Sequence, residues 1–163
     1  MNRESIMSKA YLKTLYARIY HEDFSYNEFE KRMKMQKAIY LLQEMGAPIG
    51  DYSFFWYKHG PYSQDLQDTM YAIKNVSDEN TAGFSADMEK DITRVEKALA
   101  ENGLYSQSQW AECMASVYYL QKNIFQVGTA DEQICKELRN RKPHLNNDCE
   151  NERALKLVKE LCA

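Results

Sequence analysis

The most informative segment of this chain is an aromatic run that ends at a Gly-Pro pair: Ser53-Phe54-Phe55-Trp56-Tyr57-Lys58-His59-Gly60-Pro61-Tyr62-Ser63. The run is too short and too rich in rings to be another helix, and Gly60-Pro61 ends it abruptly. In a strand, Phe54 and Trp56 would share one face and the two neighbouring rings the other. Both faces are then apolar, which indicates either a strand buried on both sides or one covered by a partner. Core packing is the more common explanation.

The segment before this run has the pattern of an amphipathic helix. Ser25 and Glu28 form the pattern of a capping box, and Phe24 and Phe29 that of a hydrophobic staple. Apolar residues then recur at helical spacing: Met35, Ile39, Leu42 and Met45. Gly46 ends the predicted helix.

The rest of the chain is also predicted to be helical. Further helices are expected from Lys9 to Tyr20, from Ser63 to about Ile73, from Ser85 to Asn102, from Ser106 to Gly128, from Thr129 to before Pro143, and from about Asp148. The serines at these starts are good N-caps, Gln109 completes a second capping box, and Thr129 with Glu132 opens the shorter helix.

We therefore predict a mainly α-helical fold with one short β-hairpin or wing-like element after the second helix. The chain is expected to be a single compact domain, residues 1–163, of six to seven helices. The motif-bearing core would cover about 24–75 and a C-terminal helical half about 85–163.

Composition narrows the class of protein. With 163 residues, 28% charged, 44% hydrophobic and a net charge of −3, the chain resembles a globular protein more than a generic nucleic-acid binder. It has no secretory signal pattern and no apolar run of about 20 residues, so we expect a cytoplasmic protein with no membrane contact. The four cysteines contain no C-x-x-C pair, and the sequence has no nucleotide-binding glycine motif. We predict no metal and no cofactor.

His59 is the one histidine in a suggestive position. Tyr62, Ser63 and Asp65 are near it in sequence, but none has a nucleophile signature, and Ser63 is better explained as a helix cap. An enzyme built around His59 and Tyr62 is a minor alternative, so no catalytic residue is predicted. His21 and His144 are interpreted as surface histidines.

Two groups of basic residues are candidate contacts for a partner or a nucleic acid: Lys31, Arg32 and Lys34, and Arg139, Arg141 and Lys142. The simpler interpretation of the first group is a solvated face balanced by Glu28 and Glu30. No helix concentrates the Arg, Lys, Asn and Gln typical of base readout, so DNA is the less favoured partner. A winged-helix-like, DNA-binding transcriptional regulator remains the alternative function.

A family pattern is carried by Met33-Lys34-Met35-Gln36-Lys37-Ala38-Ile39-Tyr40-Leu41-Leu42-Gln43 together with Phe55-Trp56-Tyr57-Lys58-His59-Gly60-Pro61-Tyr62-Ser63-Gln64-Asp65-Leu66. These two runs resemble the signature of the YwgA-like bacterial and phage proteins, which are related in pattern to the Panacea (SocA-like) antitoxin-associated domain. The resemblance covers about 35 residues of the first half. It implies a mostly helical cytoplasmic domain, often encoded in mobile elements. Panacea members neutralise a toxin by direct contact or deliver it to a protease.

The motif residues are expected to be mostly structural: Gln36, Lys37, Tyr40, Trp56, Tyr57, Gly60, Pro61, Tyr62 and Ser63. Gln36 and Lys37 can reach backbone groups of the loop, and Tyr40 can stack on Trp56. The second half would carry partner specificity. The predicted function is a non-enzymatic protein-interaction module that neutralises or delivers a protein partner such as a toxin encoded nearby. Self-association of the chain stays open.

Overall fold

The computed structural model describes residues 3–78 and 83–163. Its helices are α1 (Arg3–Ser8), α2 (Tyr11–Tyr20), α3 (Phe29–Glu44), α4 (Gln64–Ala72), α5 (Ala86–Ala100), α6 (Gln107–Tyr119), α7 (Asp131–Arg141) and α8 (Asp148–Leu161). Strands β1 (Phe55–Tyr57) and β2 (Gly60–Tyr62) lie between α3 and α4, and a π-helical turn, Leu120–Ile124, continues α6. The mainly α fold with one hairpin is confirmed. The seven predicted helices correspond to α2–α8, and α1 is an additional short helix.

The hairpin is antiparallel, with Phe55 opposite Tyr62, Trp56 opposite Pro61, and Tyr57 opposite Gly60. Gly60 has a φ of +85°, a conformation that favours glycine. A Cβ at this position would also collide with the Ser116 Oγ atom of α6. Glycine is therefore required both by the turn and by the close approach of the hairpin to α6.

Several helix starts follow the predicted chemistry. The Ser63 and Ser85 hydroxyls accept hydrogen bonds from the N–H groups of Leu66 and Met88, each at 3.2 Å. Ser106 and Gln109 form the complete capping box. These starts depend on residues within one helical turn, which the sequence displays directly.

Two other predicted starts are wrong. Helix α3 begins at Phe29, one turn later than predicted, and Ser25 does not cap it because residues 25–28 form a turn, with the Glu28 N–H bonded to the Ser25 carbonyl at 3.3 Å. The staple is absent as well: Phe24 packs on Tyr16, with ring centroids 5.2 Å apart. Helix α7 begins after Ala130, because the Thr129 hydroxyl bonds the Gln126 carbonyl at 2.7 Å instead.

Helices α3 and α6 form the centre of the core. Residues 33–42 of α3 and 110–117 of α6 are all buried, so each helix is surrounded by neighbours on every side. Helix α6 packs against α3 and α8, and the hairpin lies on both α3 and α6. The polar residues of these two helices that lie beneath the hairpin are consequently enclosed.

Within residues 3–78 and 83–163, no helix combines the length and the apolar character needed to cross a bilayer.

Candidate functional site

Gln36 fixes the C-terminal end of the hairpin. Its Nε2 donates to the Ser63 carbonyl and its Oε1 accepts from the Ser63 N–H, both at 2.9 Å. Gln36 is 1% exposed, so these bonds form away from water. Because Ser63 also caps α4, one glutamine holds the hairpin and the following helix in register. The predicted reach of Gln36 to the loop backbone is present.

Lys37 fixes the second strand from below. Its Nζ donates to the Pro61 carbonyl at 2.6 Å, and the residue is 1% exposed. Burial lowers the pKa of the Lys37 amine from 10.5 to about 7, since the interior disfavours an ammonium ion; Glu112 opposes this shift and Lys142 adds to it. Lys37 therefore supplies a hydrogen-bond donor to a backbone carbonyl of β2, a strand that pairs only with β1 in the described sheet.

A buried carboxylate lies beside the turn of the hairpin. Glu112 of α6 is 3% exposed, and its carboxylate lies 2.9 Å and 3.1 Å from the His144 Nε2. The His59 Nδ1 lies 3.6 Å from the same carboxylate. Two histidines thus contact one buried acid, and the same acid partly offsets the effect of burial on the pKa of Lys37.

This cluster was not predicted from the sequence. His144 is exposed, as its interpretation as a surface histidine predicts; what the sequence reasoning missed is its contact with the buried Glu112. The available signal was Glu112 itself, a charged residue inside the otherwise apolar run Trp110-Ala111-Glu112-Cys113-Met114. Charges in such positions are rarely buried without partners.

Lys142 fixes the hairpin at its turn. Its Nζ donates to the Tyr57 carbonyl at 2.7 Å and also to that of Lys58, and it lies 5.1 Å from the centre of the Trp56 ring. Lys142 is 6% exposed, and burial lowers its pKa. The sequence predicts Lys142 as a candidate contact for a partner or a nucleic acid. The structure buries it, and its Nζ donates to two backbone carbonyls.

The inner face of the aromatic run packs on the core in a different order from that predicted. Tyr40 packs edge-on against Phe54, with centroids 5.1 Å apart. Trp56 lies 5.7 Å from Tyr119, a ring that is 6.4 Å from Tyr40. The predicted stacking of Tyr40 on Trp56 is therefore wrong: Phe54 and Tyr119 take the positions that direct stacking would need.

The outer face of the run is open. Phe55 and Tyr57 are 64% and 61% exposed, and Phe29, at the start of α3, is 52% exposed. The Tyr57 ring lies 5.1 Å from that of Tyr62, and the Phe29 ring lies 5.1 Å from that of His59. We call Phe29, Phe55, Tyr57 and Tyr62 the outer aromatic surface.

The other basic candidates are each held by partners within the chain. Lys31 donates to the Asp23 carbonyl at 2.6 Å, Lys34 is buried and bonds Glu22 and Gln107, and Arg32 donates to the Tyr26 carbonyl. Each of the three cations near the start of α3 is thus bonded to groups of the same chain.

The second basic group is similarly engaged. Arg139 pairs with Asp148 at 2.7 Å and Arg141 with Glu137 at 2.8 Å. The guanidinium of Arg141 also lies 5.4 Å from the centre of the Trp56 ring.

His59 faces a carboxylate, but the groups near it in sequence are engaged elsewhere. The Tyr62 hydroxyl donates to Gln64 Oε1 at 3.3 Å, and Ser63 is fully buried as a helix cap. Among the described residues, no three His, Cys, Asp or Glu side chains are arranged to hold a metal ion. The site therefore consists of a hairpin held by buried polar side chains, with exposed aromatic rings on its outer face.

Comparisons with protein-family models, with curated proteins and with solved structures find no match to this chain. The resemblance to the YwgA-like and Panacea proteins thus stays a prediction from the two motif runs.

Proposed function

We propose that this protein is a non-enzymatic interaction module, similar in role to antitoxin or proteolytic-adaptor domains, that binds and neutralises or delivers a protein partner. The contact is made by the outer aromatic surface. The partner is the product of an adjacent gene, such as a toxin, and the complex forms in the cytoplasm.

One observation carries this proposal: the two faces of the aromatic run differ. Phe54 and Trp56 pack on the core, whereas Phe55 and Tyr57 are more than half exposed. Adjacent exposed rings are unusual on a surface with no partner, and Tyr and Phe are enriched at the centres of protein interfaces. In the free chain these rings leave apolar area in contact with water, which is unfavourable. A partner that covers the rings best explains why they are exposed.

The state of the basic residues favours a protein partner over DNA. Binding to DNA depends on cations that are free to neutralise phosphates. Here Arg139 and Arg141 are paired with carboxylates, and Lys34 and Lys142 are buried. These intramolecular contacts reduce the positive charge that the hairpin region could offer to a duplex.

The test is co-expression of the chain with the products of its adjacent genes, followed by affinity purification and light scattering. We expect an equimolar complex, and recovery of growth where the partner alone is toxic. The double variant Phe55→Ser, Tyr57→Ser should lose the complex while keeping the helical circular-dichroism spectrum of the parent. Leu104→Ser is the matched control, since Leu104 is 82% exposed on a different part of the surface.

Two results would overturn the proposal. One is failure of every adjacent product to bind the chain. The other is unchanged binding by the double variant, which would remove the outer aromatic surface from the interface. A band shift of duplex DNA at low salt that weakens steeply with added salt would support the DNA-binding alternative instead.

A further inference from the structure

We infer that the cavity between the start of α3 and the hairpin is a receptor for one bulky apolar side chain of the partner, flanked in the partner by an acidic residue. This inference rests on the proposed function and names the chemistry of the segment that the module recognises. The cavity is lined by the apolar and aromatic side chains of Phe29, Met33, Tyr57 and Tyr62. Its basic groups include Arg32 and Lys58.

The size of the cavity suits a side chain. Its volume is about 280 Å³, just below the roughly 300–1,000 Å³ typical of small-molecule sites. Phe29 and Tyr57, both in its lining, are 52% and 61% exposed. An inserted ring or aliphatic group would cover much of this area, and such insertion of an anchor into a pocket is how a few residues dominate protein interfaces.

The ionisable side chains of Arg, Lys and His that line the cavity are all basic. Arg32, Lys37, Lys58 and His59 line it, and no Asp or Glu is among its lining residues. Arg32 donates through Nη1 to the Tyr26 carbonyl, and its guanidinium lies 5.8 Å from the centre of the Phe29 ring. Within the described residues, no carboxylate pairs with the exposed Lys58. A partner carboxylate beside the inserted group would complement these cations.

The buried acid next to the cavity is not part of its lining. Glu112 is only 3% exposed and lies below His59, so it does not present a negative charge at the rim. A partner segment therefore meets aromatic rings and basic groups, with no carboxylate in the lining. A nucleic acid would need further free cations to follow its backbone, and the neighbouring Arg139 and Arg141 are paired.

The test selects ligands from a phage library of random linear peptides on the full-length chain. We expect the enriched sequences to share a bulky apolar residue with Asp or Glu within about two positions. A fluorescein-labelled synthetic peptide of the enriched sequence is then titrated against variants by fluorescence anisotropy. Lys58→Glu and Phe29→Ala should each weaken binding about tenfold, since one reverses a rim charge and the other removes a wall.

Controls are matched in kind. Lys90→Glu makes the same charge change at an exposed position on α5, and Leu104→Ala truncates an exposed apolar residue outside the cavity. Both should bind the peptide like the parent chain. Replacing the acidic residue of the peptide by lysine should abolish its binding.

Each contrary outcome has a distinct meaning. Peptides without an acidic residue, or binding lost in Phe55→Ser but unchanged in Lys58→Glu and Phe29→Ala, would overturn this inference while leaving the proposed function standing. Absence of any enriched peptide, with an equimolar partner complex still formed, would do the same. Tighter binding of a labelled oligothymidine than of the peptide would overturn both.

Discussion

The replacement of Lys37 by methionine gives the sharpest test of how the hairpin is held. Methionine keeps the length of the side chain and removes its charge and its donor. The pKa of the Lys37 amine is about 7 in the folded chain, against 10.5 for an exposed lysine. Since one pH unit corresponds to about 1.4 kcal/mol, an ammonium at this position costs the folded state about 5 kcal/mol relative to the unfolded state.

The sign of the pH dependence follows from where the proton resides. Below pH 7 the amine is protonated in both states and the full cost is present. Between pH 7 and about 10.5 the unfolded chain holds a proton that the folded chain has released, so stability rises with pH. The free energy of unfolding of the parent, minus that of Lys37→Met, should increase by about 2 kcal/mol from pH 7 to pH 9.

The measurement is urea unfolding of both proteins, followed by circular dichroism at pH 6, 7, 8 and 9. Lys90→Met, at an exposed position, is the control, and its difference from the parent should not change over this range. The loss of the donor to Pro61 shifts the difference by a constant and does not alter its slope. A flat difference for Lys37→Met would refute the reasoning, because it would mean that Glu112 keeps Lys37 charged in the folded chain.

Three further substitutions probe the same support. Gly60→Ala should lower the free energy of unfolding by about 2 kcal/mol or more, because a Cβ there meets Ser116 at a φ of +85°; a thermal midpoint equal to the parent's would contradict this. Gln36→Ala should lower the free energy of unfolding by about 2–3 kcal/mol in urea titrations. The control Gln43→Ala removes an equivalent pair of hydrogen bonds to the backbone from a less buried position and should cost less. Equal losses would count against the role of burial. Glu112→Gln should cost about 1–3 kcal/mol at pH 7, measured the same way, because it weakens the buried contact with His144 and removes the negative charge near Lys142. A neutral effect would show that the carboxylate does not stabilise the fold.

Much of the local structure could be predicted because it depends on residues close in sequence. The starts of α4, α5 and α6 follow from the hydroxyls of Ser63, Ser85 and Ser106. The reach of Gln36 and Lys37 to the loop was also predictable, since a short loop must return past the helix that precedes it. Where two local solutions compete, as at Ser25, the same reasoning selected the wrong one.

The site could not be predicted because its members meet only through the tertiary fold. Glu112 is on α6, and His144 lies in the connection between α7 and α8, so their contact depends on how three helices pack. The position of Tyr119 near both Tyr40 and Trp56 likewise depends on the packing of α6 against α3 and the hairpin. Helical periodicity marks such residues as inward-facing but does not identify their neighbours.

The anchors beneath the hairpin and the open rings above it are parts of one arrangement. A two-stranded hairpin of three-residue strands is only marginally stable in water by itself. Here lysine and glutamine side chains bond backbone groups that a larger sheet would pair: Lys37 bonds the carbonyl of Pro61, Lys142 that of Tyr57, and Gln36 both backbone groups of Ser63. A rigid support means that the outward rings lose little freedom when a partner covers them, which favours binding. A substitution such as Lys37→Met should therefore weaken partner binding even though its side chain is buried and bonded beneath the turn.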